Sequence, residues 1–173
     1  MFASRIPTGP TTSARFKQLG TGEMFVISSM RLWLLPQDGS HGDYPDWRQG
    51  FTHAQLGAEG TAGFDDLCRI LATGARKPLC VHRLGCPTLA RHESWTLHAL
   101  SFLQRDRFQE AQTIFEQRCL PTAARLAMTP AIVFASALRS RRLWVAFHNR
   151  CSNHRHRSIA NNRAGTSRYS TLQ

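Results

Sequence analysis

A mainly α-helical fold, a small bundle built around a helix hairpin, is what this sequence predicts, on three observations. Apolar residues recur at helical spacing in several windows between Ala62 and His148, and capping residues and prolines punctuate those windows. A hydrophobic content of 42% over 173 residues suffices for one buried core, with ten phenylalanines against two tyrosines biasing it towards apolar packing. The ends differ: residues 1–24 are rich in Gly, Pro, Ser and Thr, and from Asn149 onward Arg, His, Asn and Ser dominate. Such segments bury too little apolar surface to offset the entropy of ordering. The expected organisation is a disordered basic lead-in over 1–30 and a helical domain over 31–148, compact at 61–148. A disordered tail over 149–173 completes it.

The elements follow in order. The run Leu32–Leu35 reads as a short strand or an extended segment on the core, and Met24 and Met30 stand as alternative starts to Met1. Residues 36–46 are dense in turn formers; Asp38, Asp43 and Asp46 match no calcium-loop spacing and read as a solvated turn. A first helix is expected from Ala62 to Thr73. Thr61 is its N-cap, Asp65 and Asp66 favour its positive end, Phe64, Leu67, Cys68 and Leu71 form its buried stripe, and Gly74 is its stop. Thr88 is expected to cap a second helix from Leu89 to Gln104, with Trp95, Ala99, Phe102 and Leu103 inward. A third runs from Arg107 to Cys119, with Phe108, Ala111, Ile114 and Phe115 on one side. The short connection makes these two a hairpin. Pro121 ends the third helix, a short helical link spans Thr122–Met128, and Thr129–Pro130 opens a last helix to His148. Its expected core residues are Ala131, Phe134, Leu138, Trp144 and Val145.

The hairpin resembles one tetratricopeptide unit. Trp95, Ala99, Phe102, Phe108, Ala111 and Phe115 stand near that repeat's large–small–large spacing, in which alanines let two helices approach and aromatics fill the space beside them. His98 and Arg118 depart from the pattern, and Pro121 comes about two positions early. The match spans about 27 residues without a second copy, fewer than the roughly three units that a stacked array needs. The resemblance implies a helix hairpin and no particular activity.

Charge is distributed unevenly. Residues 1–31 carry +3, residues 32–138 carry ten basic and ten acidic side chains, and residues 139–173 carry eight arginines and no acid. Attraction to polyanions therefore belongs to the tail, where Arg150, Arg155, Arg157, Arg163 and Arg168 are the candidate phosphate contacts. Tyr169 alone offers base stacking there, which argues against sequence reading. His148, Cys151, His154 and His156 make the same tail an incidental weak metal binder. The five cysteines form no paired framework and fit reduced thiols in a cytoplasmic setting. The acid-poor first 22 residues leave organelle targeting as the alternative, although two prolines and three glycines suit a targeting helix poorly. No apolar run in the sequence approaches the roughly 20 residues that span a bilayer.

The most pointed local feature is Cys80–Val–His82–Arg–Leu–Gly–Cys86, followed by His92. Cys80, His82, Cys86 and His92 offer the thiolate and imidazole mixture that zinc takes, although C-x-H-x3-C is not a usual zinc spacing. The alternatives are cysteines packed as small hydrophobes and a reactive thiol at Cys86, lowered by nearby His82, Arg83 and Arg91, with Cys80 as resolving partner. No phosphate-cradling loop, nucleophile elbow or paired carboxylates mark an enzyme, and Lys17 and Lys77 are the only lysines. A helix-turn-helix reading of the hairpin meets Leu103 and Gln104 where glycine is wanted, and Glu110 and Glu116 on the recognition helix. The expected function is a non-catalytic accessory or adaptor protein acting through contacts of the hairpin region with a protein partner. The alternatives are sequence-nonspecific nucleic-acid binding by the tail and a metal- or redox-responsive loop at Cys80–Cys86.

Overall fold

The computed structural model describes residues 16–35 and 44–146 and bears out the mainly helical reading. A 3-10 turn at Phe16–Gln18 precedes six helices: α1 Thr21–Leu34, α2 Trp47–His53, α3 Gly57–Gly74, α4 Arg91–Leu103, α5 Phe108–Arg118 and α6 Pro121–Ser140. No strand occurs among the described residues; an isolated bridge pairs Ala75 with Cys119.

The first correction is at the N-terminal side. The stretch expected to be lead-in and strand is the helix α1, and the compact part begins well before residue 61. Glu23 reaches back to accept the Gly20 N–H at 2.7 Å, which satisfies one of the free donors at the helix start. Val26, Ile27, Met30 and Trp33 then fall on one face and are buried. The alternation-free apolar run at 32–35 is compatible with either period, and tertiary burial of this face decides for the helix.

Residues 44–46 lead into α2, whose N-cap is Asp46, its carboxylate accepting the Arg48 N–H at 2.9 Å. The helix α3 starts five residues earlier than the sequence suggests. Thr61 is not its cap but lies inside it and donates to the Gly57 carbonyl at 2.8 Å. Thr88 does not cap α4 either; Ala90 does, with Glu93 accepting its N–H at 2.8 Å. The hairpin of α4 and α5 is present: Trp95, early in α4, meets Phe115 in the last turn of α5, edge to face at 6.0 Å. Ala99, Ala111 and Phe115 are buried as expected, whereas Phe108 is 44% exposed.

The largest departure is α6. The expected link and the helix after Pro130 are one continuous element from Pro121, which occupies the first turn, where no N–H is needed. Pro130 sits inside this helix and forgoes one bond to the carbonyl of Leu126, a residue on the water-facing side. The helix stops at Ser140 instead of His148. Beyond it, residues 143–146 run as an extended strap held by buried Gln104, whose Nε2 donates to the Leu143 carbonyl at 2.9 Å. Its Oε1 accepts the Val145 N–H at 2.8 Å. Val145 is buried through this strap, and Trp144, expected in the core, is 49% exposed because an extended chain turns alternate side chains outward. By length and hydropathy α6 is the one helix among the described residues that could cross a bilayer. Its Ala124, Ala131, Phe134 and Leu138 face is buried, as in the core helix of a folded domain.

The pair α3–α6 is the central packing, and small residues set its spacing. A side chain at Gly60 would meet Ala137, one at Gly74 would meet Ala123, and one at Gly63 would come within 3.0 Å of the Pro130 carbonyl. Glycine inside a helix costs up to about 1 kcal/mol against alanine, so close helix approach is the physical reason for these positions. Gly63→Leu is therefore expected to lower stability by about 1–3 kcal/mol, overpacking outweighing the gain in propensity. Urea unfolding checks this; an unchanged or higher midpoint would refute the close contact.

Candidate functional site

Two features stand out in the described part: a polar clasp around the residue 79–90 loop, and a cleft beside α2.

The clasp is built from Arg31 of α1 and Glu93 of α4, whose side chains are 1% and 0% exposed. Arg31 Nε donates to Glu93 Oε1 at 2.7 Å and Nη2 to Oε2 at 3.0 Å, the two-pronged geometry that a guanidinium offers a carboxylate. The same guanidinium donates to the Cys86 carbonyl at 2.9 Å and the Thr88 carbonyl at 2.8 Å. Glu93 also accepts the His82 N–H at 3.1 Å and the Ala90 N–H at 2.8 Å, so both oxygens carry two donors. The Phe16 ring lies 5.1 Å from the guanidinium, and the Phe16 N–H donates to the Pro87 carbonyl at 2.7 Å. A loop without regular structure is thereby fixed by side-chain bonds to its backbone.

Within this loop the four residues proposed from spacing separate into two pairs. Cys86 Sγ lies 3.4 Å from His82 Nδ1 and 3.3 Å from Thr88 Oγ1. The His82 ring nitrogen also bonds the Thr88 carbonyl at 3.0 Å. Cys80, by contrast, is exposed and donates its backbone N–H to His92 Nδ1 at 3.1 Å, which leaves that nitrogen an acceptor. His92 is buried against Trp95, and burial pushes its pKa below the ordinary imidazole value. Among the described residues no three His, Cys, Asp or Glu side chains gather in a group able to hold a metal ion. Hydrogen bonds from the Thr88 hydroxyl and backbone hold the Cys86 thiol below its usual pKa, with the Arg31 charge assisting. Burial pushes Cys68 and Cys119 up.

The second feature is a cleft of about 790 Å³ between α2 and the first half of α3. Ala58 and Ala62 form its wall, Arg48 and Arg141 part of its rim, and Trp47 and Phe51, 6% and 1% exposed, make a floor that is almost fully covered. The floor is rigid: Trp47 and Phe51 meet edge to face at 5.2 Å, and both pack on Phe64, at 5.1 and 4.9 Å. Arg48 lies 4.4 Å over the Trp47 ring, and Arg141 Nε donates to the Gln55 carbonyl at 2.7 Å. Asp65, the acid in the lining, accepts from Trp33 Nε1 at 2.6 Å and from Arg69 at 3.1 Å.

Sequence reasoning missed both features. Arg31 and Glu93 are 62 residues apart, although a lone cation within an apolar run signals a buried partner. Trp47, Phe51 and Arg141 come together only through α2 and the end of α6. Arg150, Arg155, Arg157, Arg163 and Arg168 lie outside the described residues, as do His148, Cys151, His154 and His156. The chain matches no family model, no curated protein and no solved structure.

Alkylation tests the thiol environment. Iodoacetamide is expected to modify Cys86 with a half-maximal rate below the ordinary thiol value of about 8.5, because a lowered pKa leaves more thiolate at neutral pH. Thr88→Val should shift that midpoint upward, while Cys68 and Cys119 stay protected in the folded chain. A midpoint at or above about 8.5 for the unmodified chain contradicts the assignment.

Proposed function

We propose that this chain is a non-catalytic helical accessory protein that acts by contact with another polypeptide, and that the cleft between α2 and α3 is its contact site. The observation that carries this reading is the open volume of about 790 Å³ over the Trp47–Phe51 floor. It falls in the range of about 300–1,000 Å³ usual for binding pockets. The hairpin offers less: ten residues of α4 are buried, and the outer side of α5 presents Gln109, Gln112, Thr113 and Glu116 to water. The buried ionisable groups support a binding role over a catalytic one. Glu23, Arg31 and Glu93 are engaged in helix capping and in the clasp, and buried His92 accepts the Cys80 N–H.

A second reading, a thiol-based redox response, is favoured by the bonds of Thr88 and His82 to Cys86, and it stands or falls with the alkylation midpoint.

Site-specific photocrosslinking in the expressing cell tests the contact site. A photoreactive side chain at exposed Ala58 is expected to give discrete protein adducts, and one at exposed Thr113 on α5 none. Ala62→Trp, which fills the cleft from an exposed position, should remove the Ala58 adducts without lowering the helical signal. Adducts that persist in the Ala62→Trp protein would refute the cleft as contact site.

A further inference from the structure

We propose that the cleft takes an acidic segment, in which an apolar side chain packs on the exposed Ala58–Ala62 wall and a neighbouring carboxylate meets Arg141 and Arg48; this rests on the reading of the cleft as a protein-contact site. The argument is charge complementarity. Arg141 is held by neutral acceptors, the carbonyl of Gln55 at 2.7 Å and its side-chain oxygen at 3.4 Å, so its position is fixed and no acid among the described residues offsets its charge. Arg48 lies against the Trp47 ring, and its contact with Asp46 is long, 3.5 Å, between two half-exposed side chains. Such an exposed pair leaves a guanidinium available to a better-placed acid. The one acid of the lining, Asp65, is already taken by Trp33 and Arg69.

Among the described residues, the open charge of the cleft is therefore two guanidinium groups at the edge of an apolar wall. A guanidinium pairs best with a carboxylate presented in its plane, and the apolar Ala58–Ala62 wall favours an apolar neighbour over bare phosphate. A lysine- or arginine-rich segment would meet like charge at the same rim.

Selection of a random dodecapeptide phage library on the full-length chain tests this, with the Ala62→Trp protein as the counter-target. Enriched peptides that ignore Ala62→Trp are set aside. Those that remain are expected to pair an aromatic or aliphatic residue with Asp or Glu. As synthetic peptides they should bind Arg141→Glu and Arg48→Glu at least about tenfold more weakly, and lose affinity as salt rises. Helical circular dichroism confirms that each variant is folded, and two variants guard against one of them failing. Cleft-dependent peptides that are neutral or basic, or indifferent to both charge reversals, would overturn the acidic preference while leaving the contact site standing. Recovery of no peptide sensitive to Ala62→Trp would overturn both.

Discussion

The guanidinium of Arg31 and the carboxylate of Glu93 lie inside this protein with almost no exposure, and together they fix three separate parts of the chain. Arg31 brings α1, Glu93 brings α4, and between them they bond the backbone at His82, Cys86, Thr88 and Ala90. Burying either charge alone would be costly, since removing one partner of such a pair typically destabilises by about 3–5 kcal/mol. The pair is tolerable because both partners are hydrogen-bonded almost to capacity. Its consequence is specificity of arrangement: the loop has no ladder of its own, and the clasp supplies acceptors and donors for its peptide groups. The environment of the Cys86 thiol follows from the same contacts, because the turn that sets Thr88 and His82 beside it is the turn that Arg31 holds.

A different constraint sets the cleft. Close approach of α3 and α6 through Gly60, Gly63 and Gly74 positions the Phe64 and Phe134 rings, 5.1 Å apart, and these in turn support Phe51 and Trp47. The end of α6 then delivers Arg141 to Gln55, 86 residues away in sequence. Beyond it Arg142 takes a left-handed conformation, φ 58°, which redirects the chain into the strap that Gln104 reads. Gly22 permits that strap, since any side chain there would collide with the carbonyls of Leu143 and Trp144. The wall and rim of the cleft thus depend on helix packing far from its mouth.

Much of the helical fold is legible in the sequence, and the reasons differ by element. The stripe of α3 and the hairpin of α4 and α5 follow local periodicity, which burial at Phe64, Leu71, Ala99 and Phe115 matches. Helix starts are misread where a carboxylate three residues inside does the capping, at Glu23 and Glu93, instead of a hydroxyl at the boundary. Pro130 reads as a start because a missing N–H is cheapest there, yet the water-facing side of α6 accommodates it mid-helix. The candidate sites are mostly illegible. Cys86 and His82 are found from spacing, but spacing alone does not show that Cys80 donates to His92 through its backbone. The clasp and the cleft join residues tens of positions apart, and no local pattern encodes such a meeting.

The central claim is that Arg31 and Glu93 act as one unit, and a thermodynamic cycle measures this most directly. Urea unfolding of Glu93→Gln is compared in the natural background and in Arg31→Met. In the natural background the substitution should destabilise, because it leaves the Arg31 charge buried without its counter-ion. In the Arg31→Met background the same substitution should destabilise far less, because no guanidinium is left there without its counter-ion, and the coupling energy should reach about 2–3 kcal/mol. An effect of the same sign and size in both backgrounds would contradict the account, for it would mean that the two charges do not depend on each other.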